Sequence, residues 1–402
     1  MIPHGRYILI IGFLALSGYI ARRVHLYYFD KTPPQVIVIG FENEKGYAGD
    51  VTGSLKGSSP YKIAHISMWL DDKLIHKDFK INRRHIDHPI SIPANTIPDG
   101  LHTLKFEIID GTKNQNKTEL QRNFYTDNLD LQASLIPVVN GYRVYQGRCL
   151  YLQLQTNKQI KSAQAKTLNN VYNFFPERKG SCIYEVMIPV ECEQDAGEFP
   201  ISIELIDRLD NKIILENKFE IVSFPFKRKI LNVAGNKLQS ELEFTQLQEA
   251  DLEKALEQLA KASPQEKYWS GPFDIPLVMK GITTDFGVIR TSQERGRRVH
   301  KALDLIADPK SVIWACANGT VVLKDRFTHA GNTVVIDHGH GILSMYYHLH
   351  DFADITVGQK VKKGAPLGRM GMTGYASGDH LHWEIRVNNV AVEPMQWTQR
   401  WI

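Results

Sequence analysis

The feature that most constrains the fold is an alternation of apolar and polar residues that begins near Pro34 and recurs through most of the chain. Successive side chains of a β-strand point to opposite faces, so a period of two is typical of strands with one buried face. Pairs such as Asp99-Gly100 and Asp110-Gly111 separate the alternating segments and are typical of turns. The sequence therefore predicts a mainly β, multidomain protein.

A first β-rich block spans residues 34–128. Its alternating segments lie at residues 35–39, 65–70 and 101–109. Several short strands spaced by turns favour a β-sandwich. The segment at 98–106 is similar to the penultimate strand of immunoglobulin-like bacterial surface modules, so we expect an immunoglobulin-like sandwich here.

A second block of the same style spans residues 129–226. Its alternating segments are residues 149–154, 182–188, 200–206 and 217–222. Both blocks end on an alternating strand after a turn that contains Asp, which favours a second sandwich. Neither block contains a chemical motif. We expect both to serve as scaffold or spacer, with binding of a ligand or of a regulatory protein partner as the alternative.

Residues 1–33 are interpreted as a targeting segment built on an uncharged run at 7–21. A helix over this run reaches only about 22 Å, whereas the hydrocarbon core of a bilayer is about 30 Å thick. The run predicts either a transmembrane anchor flanked by Arg22 and Arg23, or a cleaved signal peptide with Ala15 and Ser17 near the cleavage site. In both cases the chain is exported. We expect an anchor in the inner membrane, with the later domains facing the periplasm and the cell wall.

Residues 227–268 are predicted to form a helical spacer. Leucines recur among Glu, Gln and Lys through 236–261, as in a helix with one apolar stripe. The stripe comprises Leu238, Leu242, Leu247, Leu252, Leu256 and Leu259. Ser263-Pro264 ends the helix, because proline cannot continue the ladder of backbone hydrogen bonds.

Charge and cysteine content exclude some classes of protein. The formal charge is only +4, and no block of Lys and Arg stands out, so nucleic-acid binding is not expected. The four cysteines contain no CxxC pair and therefore do not predict a zinc ribbon. Three of them, Cys149, Cys182 and Cys192, fall in the second β-rich block. A disulfide among these three and buried free thiols both remain open.

The last third of the chain holds the residues that point to chemistry. The stretch His380-Leu-His382-Trp-Glu384 reads as a strand, and a period of two places His380, His382 and Glu384 on one face. Two imidazoles at this spacing can share a small polar cavity, one as a metal ligand and the other as a base.

His300 and Asp304 form a second candidate pair. Four residues apart in a fully extended strand, their Cα atoms would be about 13 Å apart, which is too far for two ligands of one zinc ion. Metal binding by this pair therefore requires a local bend at Lys301 and Ala302. His348 lies in a third stretch, a strand-like apolar run at 342–349. The glycine-punctuated segments around these stretches indicate a compact β-rich domain.

With these stretches in this order, residues 270–398 resemble the lysostaphin-like zinc metallopeptidases, the M23 family of peptidoglycan endopeptidases, whose domains are also called LytM domains. The resemblance also includes the segments at 281–290, 317–321, 335–339 and 373–382. It does not extend to the two predicted sandwiches or the helical spacer. We place the boundaries of the predicted peptidase domain at residues 269–402.

The resemblance implies a zinc-dependent metalloendopeptidase that hydrolyses peptide cross-links of bacterial peptidoglycan. It implies one Zn²⁺ per chain, with His300, Asp304 and His382 as the metal ligands. His348 and His380 match the catalytic pair of the family, and which of the two acts as the general base stays open. Glu384 is a candidate partner of a metal ligand because of its strand face, and exposure to solvent is the alternative.

The chain departs from the family pattern at two positions. Ala302 stands where the family commonly has glycine, and a positive φ there would cost on the order of 1 kcal/mol or more for alanine. An ordinary β conformation would tolerate alanine. The loop that begins at Lys310 also lacks the usual glycine. Neither departure removes a ligand or a catalytic histidine.

Two other functions are consistent with parts of the sequence. The first is a catalytically inactive LytM-type domain that binds and activates a cell-wall amidase; the complete set of ligand residues argues against it. The second is a biotinyl or lipoyl carrier, suggested by the glycines near Met370-Gly371-Met372. Carriers need a lysine at the tip of that turn, where this chain has Gly371, so we reject it. His338, His340 and His350 are assigned structural or surface roles.

Overall fold

The protein is described here from a computed structural model, which covers residues 4–139, 141–230, 239–292 and 296–399. The chain divides into two compact units. Unit 1 comprises residues 1–133, 156–162 and 205–213, and unit 2 comprises residues 134–155, 163–204 and 214–402. The prediction of a mainly β protein is confirmed. The division into five sequence segments stays a prediction.

The chain begins with one helix and six strands. They are α1 (His4–Phe29), β1 (Gln35–Ile39), β2 (Lys45–Tyr47), β3 (Val51–Leu70), β4 (Lys73–Ile92), β5 (Gly100–Asp110) and β6 (Lys117–Thr126).

Ten strands follow in the second β-rich block. They are β7 (Ala133–Leu135), β8 (Arg143–Tyr145), β9 (Cys149–Thr156), β10 (Ser162–Thr167), β11 (Asn170–Asn173), β12 (Phe175–Pro176), β13 (Ile183–Pro189), β14 (Gly197–Ile206), β15 (Lys212–Val222) and β16 (Arg228–Ile230).

The remainder contains one helix and twelve short strands. They are α2 (Gln239–Ala262), β17 (Gly281–Thr284), β18 (Ile289–Ser292), β19 (Gly296–Val299), β20 (Leu303–Ile306), β21 (Val312–Trp314), β22 (Gly319–Phe327), β23 (Gly331–Asp337), β24 (Ile342–Phe352), β25 (Lys360–Val361), β26 (Pro366–Met370), β27 (Leu381–Val387) and β28 (Val390–Val392).

The prediction of a transmembrane helix is wrong. Within the described part of the chain, no helix is long and apolar enough to cross a membrane. Helix α1 is 26 residues long, but Arg22 and Arg23 interrupt its apolar run well before it ends at Phe29. The uncharged part alone falls short of the thickness of a bilayer core. Of the predicted run at 7–21, the side chains at 7–11 lie outside the described residues.

Unit 1 is built on a six-stranded sheet in the order β1-β3-β5-β6-β2, with β4 paired to β3. Strands β3 and β4 are 20 residues each and form one long hairpin. Asp71 and Asp72 connect them with φ values of 49° and 64°, the positive values that a two-residue type I′ turn requires. Alternate residues of these strands point into an apolar core that includes Leu55, Ile66 and Leu104.

Unit 1 also contains a buried ion-pair group centred on Lys158. Its Nζ atom lies 2.5 Å from Asp127 Oδ1 and 3.1 Å from Asp207 Oδ2, and all three side chains are less than 8% exposed. A buried ammonium ion is tolerated only when hydrogen-bonded counter-charges surround it. The group therefore ties three segments of unit 1 that are distant in sequence.

Unit 2 contains three larger sheets. The second β-rich block forms a five-stranded sheet, β11-β10-β14-β15-β8, and a four-stranded sheet, β12-β13-β9-β7. The C-terminal part forms a ten-stranded sheet with the central order β17-β20-β27-β24-β23-β22-β25. Its apolar core is filled by side chains such as Trp383, Tyr346 and Leu381, none of which is exposed. Cys149, Cys192 and Cys316 are free thiols.

Helix α2 confirms the predicted helical composition and ends at Ala262, just before the predicted stop at Ser263-Pro264. Leu252, Leu256 and Ala260 pack against Val335, Leu343, Met345 and Tyr347 of strands β23 and β24. The N-terminal part of the predicted leucine stripe, Leu238, Leu242 and Leu247, lies outside the side chains that the structure describes. The described half of the stripe fixes this helix on the C-terminal sheet.

We predict that Lys158→Met lowers the free energy of unfolding by about 3–5 kcal/mol, because it leaves two carboxylates buried without a counter-charge. Urea denaturation followed by circular dichroism measures the change. The matched control is Lys161→Met, which removes an exposed lysine paired with exposed Asp210. Equal transition midpoints for the two variants would contradict the structural role of Lys158.

Candidate functional site

A cleft of about 950 Å³ opens beside strands β20, β24 and β27 of the C-terminal sheet. All five residues singled out from the sequence line it, although they come from segments up to 82 positions apart. They are His300, Asp304, His348, His380 and His382. The structure therefore brings the three sequence stretches into one place.

Strand β27 presents His382 and Glu384 as the period of two predicts, and His380 lies directly before this strand. Leu381 and Trp383 are fully buried in the core, so His382 and Glu384 point to the opposite face. His382 lies opposite Asp304 on β20 and opposite Tyr347 on β24. The Tyr347 ring stacks on the His382 imidazole, with centroids 5.0 Å apart and planes within 6° of parallel. Pairing on both sides and stacking together fix the orientation of His382.

The bend expected between His300 and Asp304 is present. Strand β19 ends at Val299 and β20 begins at Leu303, so the intervening residues belong to no strand. The bend brings His300 Nε2 to 3.0 Å from Asp304 Oδ1. Ala302 is fully buried and is not among the residues with positive φ, so alanine fits there without backbone strain. Lys310, in contrast, does adopt a positive φ of 60°.

One carboxylate oxygen, Asp304 Oδ1, lies close to three histidine side chains. Asp304 Oδ1 lies 3.0 Å from His300 Nε2, 3.1 Å from His382 Nδ1 and 3.8 Å from His380 Nε2. The other ring nitrogen of His300, Nδ1, donates to the Asp285 carbonyl at 3.0 Å. In the neutral imidazole this hydrogen bond leaves Nε2 as the lone-pair nitrogen facing the carboxylate. Two imidazole nitrogens and one carboxylate oxygen within 4.8 Å of one another are a donor set that fits Zn²⁺.

His348 and His380 flank this group. The His348 ring centroid lies 4.8 Å from that of His380 and 5.9 Å from that of His382. His348 Nδ1 donates to the Thr373 carbonyl at 2.8 Å, and His380 Nδ1 donates to the Gly378 carbonyl at 2.8 Å. Each neutral ring therefore keeps a lone pair on Nε2, which is available to accept a proton.

His348 is held in an unusual backbone conformation. Its φ is 63°, in the left-handed region that a side chain bearing Cβ rarely adopts. The pairing of β24 with β23 shifts at this point, and the His348 N–H donates to the Ala330 carbonyl at 2.9 Å. A β-bulge of this kind re-aims a side chain relative to the regular alternation of the strand. Such strain occurs often at functional positions.

The charges of the site shift several pKa values. Burial alone would raise the pKa of Asp304, but the neighbouring imidazoles of His300 and His382 outweigh it and lower that pKa well below its usual range. Burial alone would lower the pKa of His382, but Asp304 and Glu384 raise it to about 9. Burial, helped by the charge of His382, lowers the pKa of His348 to about 3. His348 is therefore neutral at pH 7, as a proton acceptor must be.

Two buried charged residues, Glu384 and Arg386, follow His382 on strand β27. Glu384 is buried and lies 3.6 Å from His382 Nε2. It is therefore a partner of the His382 imidazole and is not exposed to solvent. Arg386 donates a hydrogen bond of 2.5 Å to Glu384 and two further hydrogen bonds, of 2.6 and 2.7 Å, to Glu253 of helix α2. Burial alone would raise the pKa of Glu384, but Arg386 and His382 lower it to about 2. The carboxylate is therefore ionised behind His382.

Sequence reasoning missed several residues of the cleft. Arg290 lies with Nη2 3.7 Å from Asp304 Oδ2 and donates to Thr284 Oγ1 at 3.1 Å. Glu253 could not have been identified locally, because it contacts Arg386 across 133 positions of sequence. Tyr347 could have been considered from the sequence, because it directly precedes His348 in a predicted strand.

The other histidines have the structural or surface positions expected of them. His338 is buried, with Nδ1 2.7 Å from the Asn318 carbonyl and Nε2 2.8 Å from Ser344 Oγ. His340 stacks on Phe175, with ring centroids 4.0 Å apart. His350 is exposed.

Comparison with known proteins identifies the C-terminal region. Residues 298–394 match the family described as "Peptidase family M23". The chain is 35% identical over 132 residues to the DD-carboxypeptidase/endopeptidase Mpg of Neisseria meningitidis. The aligned region covers 33% of this chain and 30% of that protein. It is 31% identical over 120 residues to the peptidoglycan DD-endopeptidase ShyC of Vibrio cholerae. This aligned region covers 30% of this chain and 28% of that protein.

The similarity also extends to a protein with a different role. The chain is 32% identical over 108 residues to the murein hydrolase activator EnvC of Escherichia coli. The aligned region covers 27% of this chain and 26% of that protein. The chain thus spans about a third or less of the length of these curated relatives.

We predict that Glu384→Gln weakens zinc binding about ten- to a hundredfold, because residues that orient a ligating imidazole typically contribute that much to metal affinity. Competition with a chromophoric chelator measures the dissociation constant. Asp351→Asn, which neutralises a more exposed carboxylate of the same sheet paired with Arg369, is the control and should bind zinc as the wild type does. Unchanged affinity in Glu384→Gln would show that this carboxylate does not support the metal ligands.

Proposed function

The C-terminal region of this chain, residues 298–394, is a peptidase M23 domain, and from this premise we propose that the protein is a zinc metalloendopeptidase that hydrolyses peptide cross-links of bacterial peptidoglycan. The observation that supports the proposal best is the convergence of His300 and His382 on one oxygen of Asp304. The two relatives with endopeptidase names support the substrate class.

We assign His300, Asp304 and His382 as the residues that hold one Zn²⁺. The ion would supply a Lewis acid that polarises a carbonyl oxygen and makes a water molecule more acidic. The chain orients both of these imidazoles: the Asp285 carbonyl accepts a hydrogen bond from His300, and Glu384 lies beside His382. These partners fix which nitrogen of each ring faces the centre of the site.

We assign His348 and His380 to proton transfer and to orientation of the substrate. Each ring has its Nδ1 proton committed to a backbone carbonyl, so that Nε2 can take a proton from water and return it to the leaving amine. The short distance between the two rings lets both act on one scissile peptide bond. The peptide itself would lie in the cleft of about 950 Å³.

The proposed substrate requires export of the chain, because peptidoglycan lies outside the cytoplasmic membrane. The β-rich blocks at residues 34–128 and 129–226 are proposed to serve as a scaffold, and either could bind a regulatory protein partner. Holding a peptidase toward an insoluble polymer is a reasonable role for such a scaffold, since the substrate cannot diffuse to the enzyme.

The similarity to a murein hydrolase activator raises a second candidate, a domain that activates a cell-wall amidase without hydrolysing peptides. The two functions make different demands on the cleft. An activator needs no metal ligands and no proton acceptors, whereas this chain retains both sets around Asp304. The endopeptidase is therefore the function that the geometry favours.

We predict that His348→Ala and His380→Ala each lower kcat for peptide release from purified peptidoglycan by about 10²- to 10⁴-fold, while zinc content stays at the wild-type level. His350→Ala, an exposed histidine close to His348 in sequence, is the control and should retain full activity. Wild-type rates in both cleft variants would refute their assignment to catalysis.

We also predict that His382→Ala loses both the zinc of this site and peptide release, because only one imidazole and one carboxylate would remain. Zinc is measured by mass spectrometry and released peptides by chromatography. If the wild-type chain released no peptide but stimulated an added cell-wall amidase, the activator function would replace the endopeptidase.

A further inference from the structure

A second group of metal-ligand side chains lies in unit 1, on strand β4. His76, Asp78 and His88 each offer one ligand atom, and these atoms all lie within 4.8 Å of one another. The group shares no residue with the cleft of the C-terminal sheet.

The group exists because strand β4 doubles back on itself. His76 and His88 are twelve positions apart, which corresponds to about 40 Å in an extended strand. Their ring centroids are nevertheless only 4.2 Å apart. Between them Asn82 adopts a positive φ of 56°, and the pairing of β4 with β3 shifts register between Ser58 and Ile63. The bend brings two distant parts of one strand into contact.

The contacts within the group place two imidazole nitrogens beside one carboxylate oxygen. His76 Nε2 lies 2.9 Å from Asp78 Oδ2, yet this buried nitrogen makes no hydrogen bond with any group of the described residues. This distance is that of an ion pair when His76 is protonated, whereas a neutral His76 with its proton on Nδ1 carries on Nε2 a lone pair that can bind a metal ion. His88 Nδ1 lies 3.9 Å from the same oxygen. A metal ion between the three atoms would be coordinated by all of them.

Charge and access also suit a metal ion. One carboxylate and two imidazoles are donors that first-row divalent ions such as Zn²⁺ accept well, whereas Mg²⁺ and Ca²⁺ prefer oxygen ligands. Asp78 is 49% exposed, so water can reach the site and complete the coordination. Zinc sites with three protein ligands keep such an open position.

We propose that His76, Asp78 and His88 bind one first-row divalent transition-metal ion, which ties together the two halves of the bent strand β4. The site is structural: it fixes a strand whose register with β3 is interrupted. It goes beyond the proposed peptidase function and does not depend on it.

The test uses the full-length chain loaded with ZnCl₂, freed of excess metal and analysed by mass spectrometry. We expect about two zinc ions per wild-type chain, about one in Asp304→Ala and about one in His88→Ala. The double variant should hold none. His85→Ala is the matched control, because this histidine lies on the same strand but is exposed, and it should retain both ions.

A second measurement separates metal binding from misfolding. In the Asp304→Ala background, ZnCl₂ should raise the midpoint of thermal unfolding, and this rise should disappear when His76→Gln is added. Circular dichroism confirms that each variant is folded. A wild-type chain with no more zinc than His88→Ala, or a folded Asp304→Ala chain without zinc, would overturn the proposal, and neither result would by itself remove the peptidase function.

Discussion

The C-terminal site depends on one carboxylate oxygen, Asp304 Oδ1, on which His300 and His382 converge. Each residue reaches this point for a different reason. The pairing of β20 with β27 places Asp304 opposite His382, and the bend after β19 returns His300 to Asp304. No local segment could produce this arrangement alone, so the ten-stranded sheet is the precondition for the chemistry.

The surroundings hold the site in place from two sides. Trp383 and its neighbours fill the apolar core behind β27, which prevents rotation of the strand. On the polar side, Glu384 and Arg386 form a buried ion pair, and Arg386 also pairs with the half-exposed Glu253 of helix α2. Burying such charges is costly unless they are paired, so these contacts tie helix α2 to the strand that bears His382.

Much of this could be predicted from the sequence because the period of two reports which side chains share a face. It placed strands such as β1 and β9, the common face of His382 and Glu384, and the need for a bend before Asp304. Periodicity does not report which strands pair or where they bend. The contact between Glu253 and Arg386, the positive φ of His348 and the doubling back of β4 therefore could not be predicted. The uncharged run at 7–21 gave the wrong expectation of a transmembrane helix, because a run this short does not span a bilayer core.

The central claim is that metal held by Asp304 and its two imidazoles is required for cleavage of peptidoglycan peptides. The most direct measurement is peptide release by the full-length chain after removal of metal with a chelator and again after addition of ZnCl₂, with Asp304→Ala in parallel. We expect that release stops on metal removal and returns with zinc in the wild type, and stays absent in the variant. Undiminished release by metal-free protein, or full release by Asp304→Ala, would contradict it.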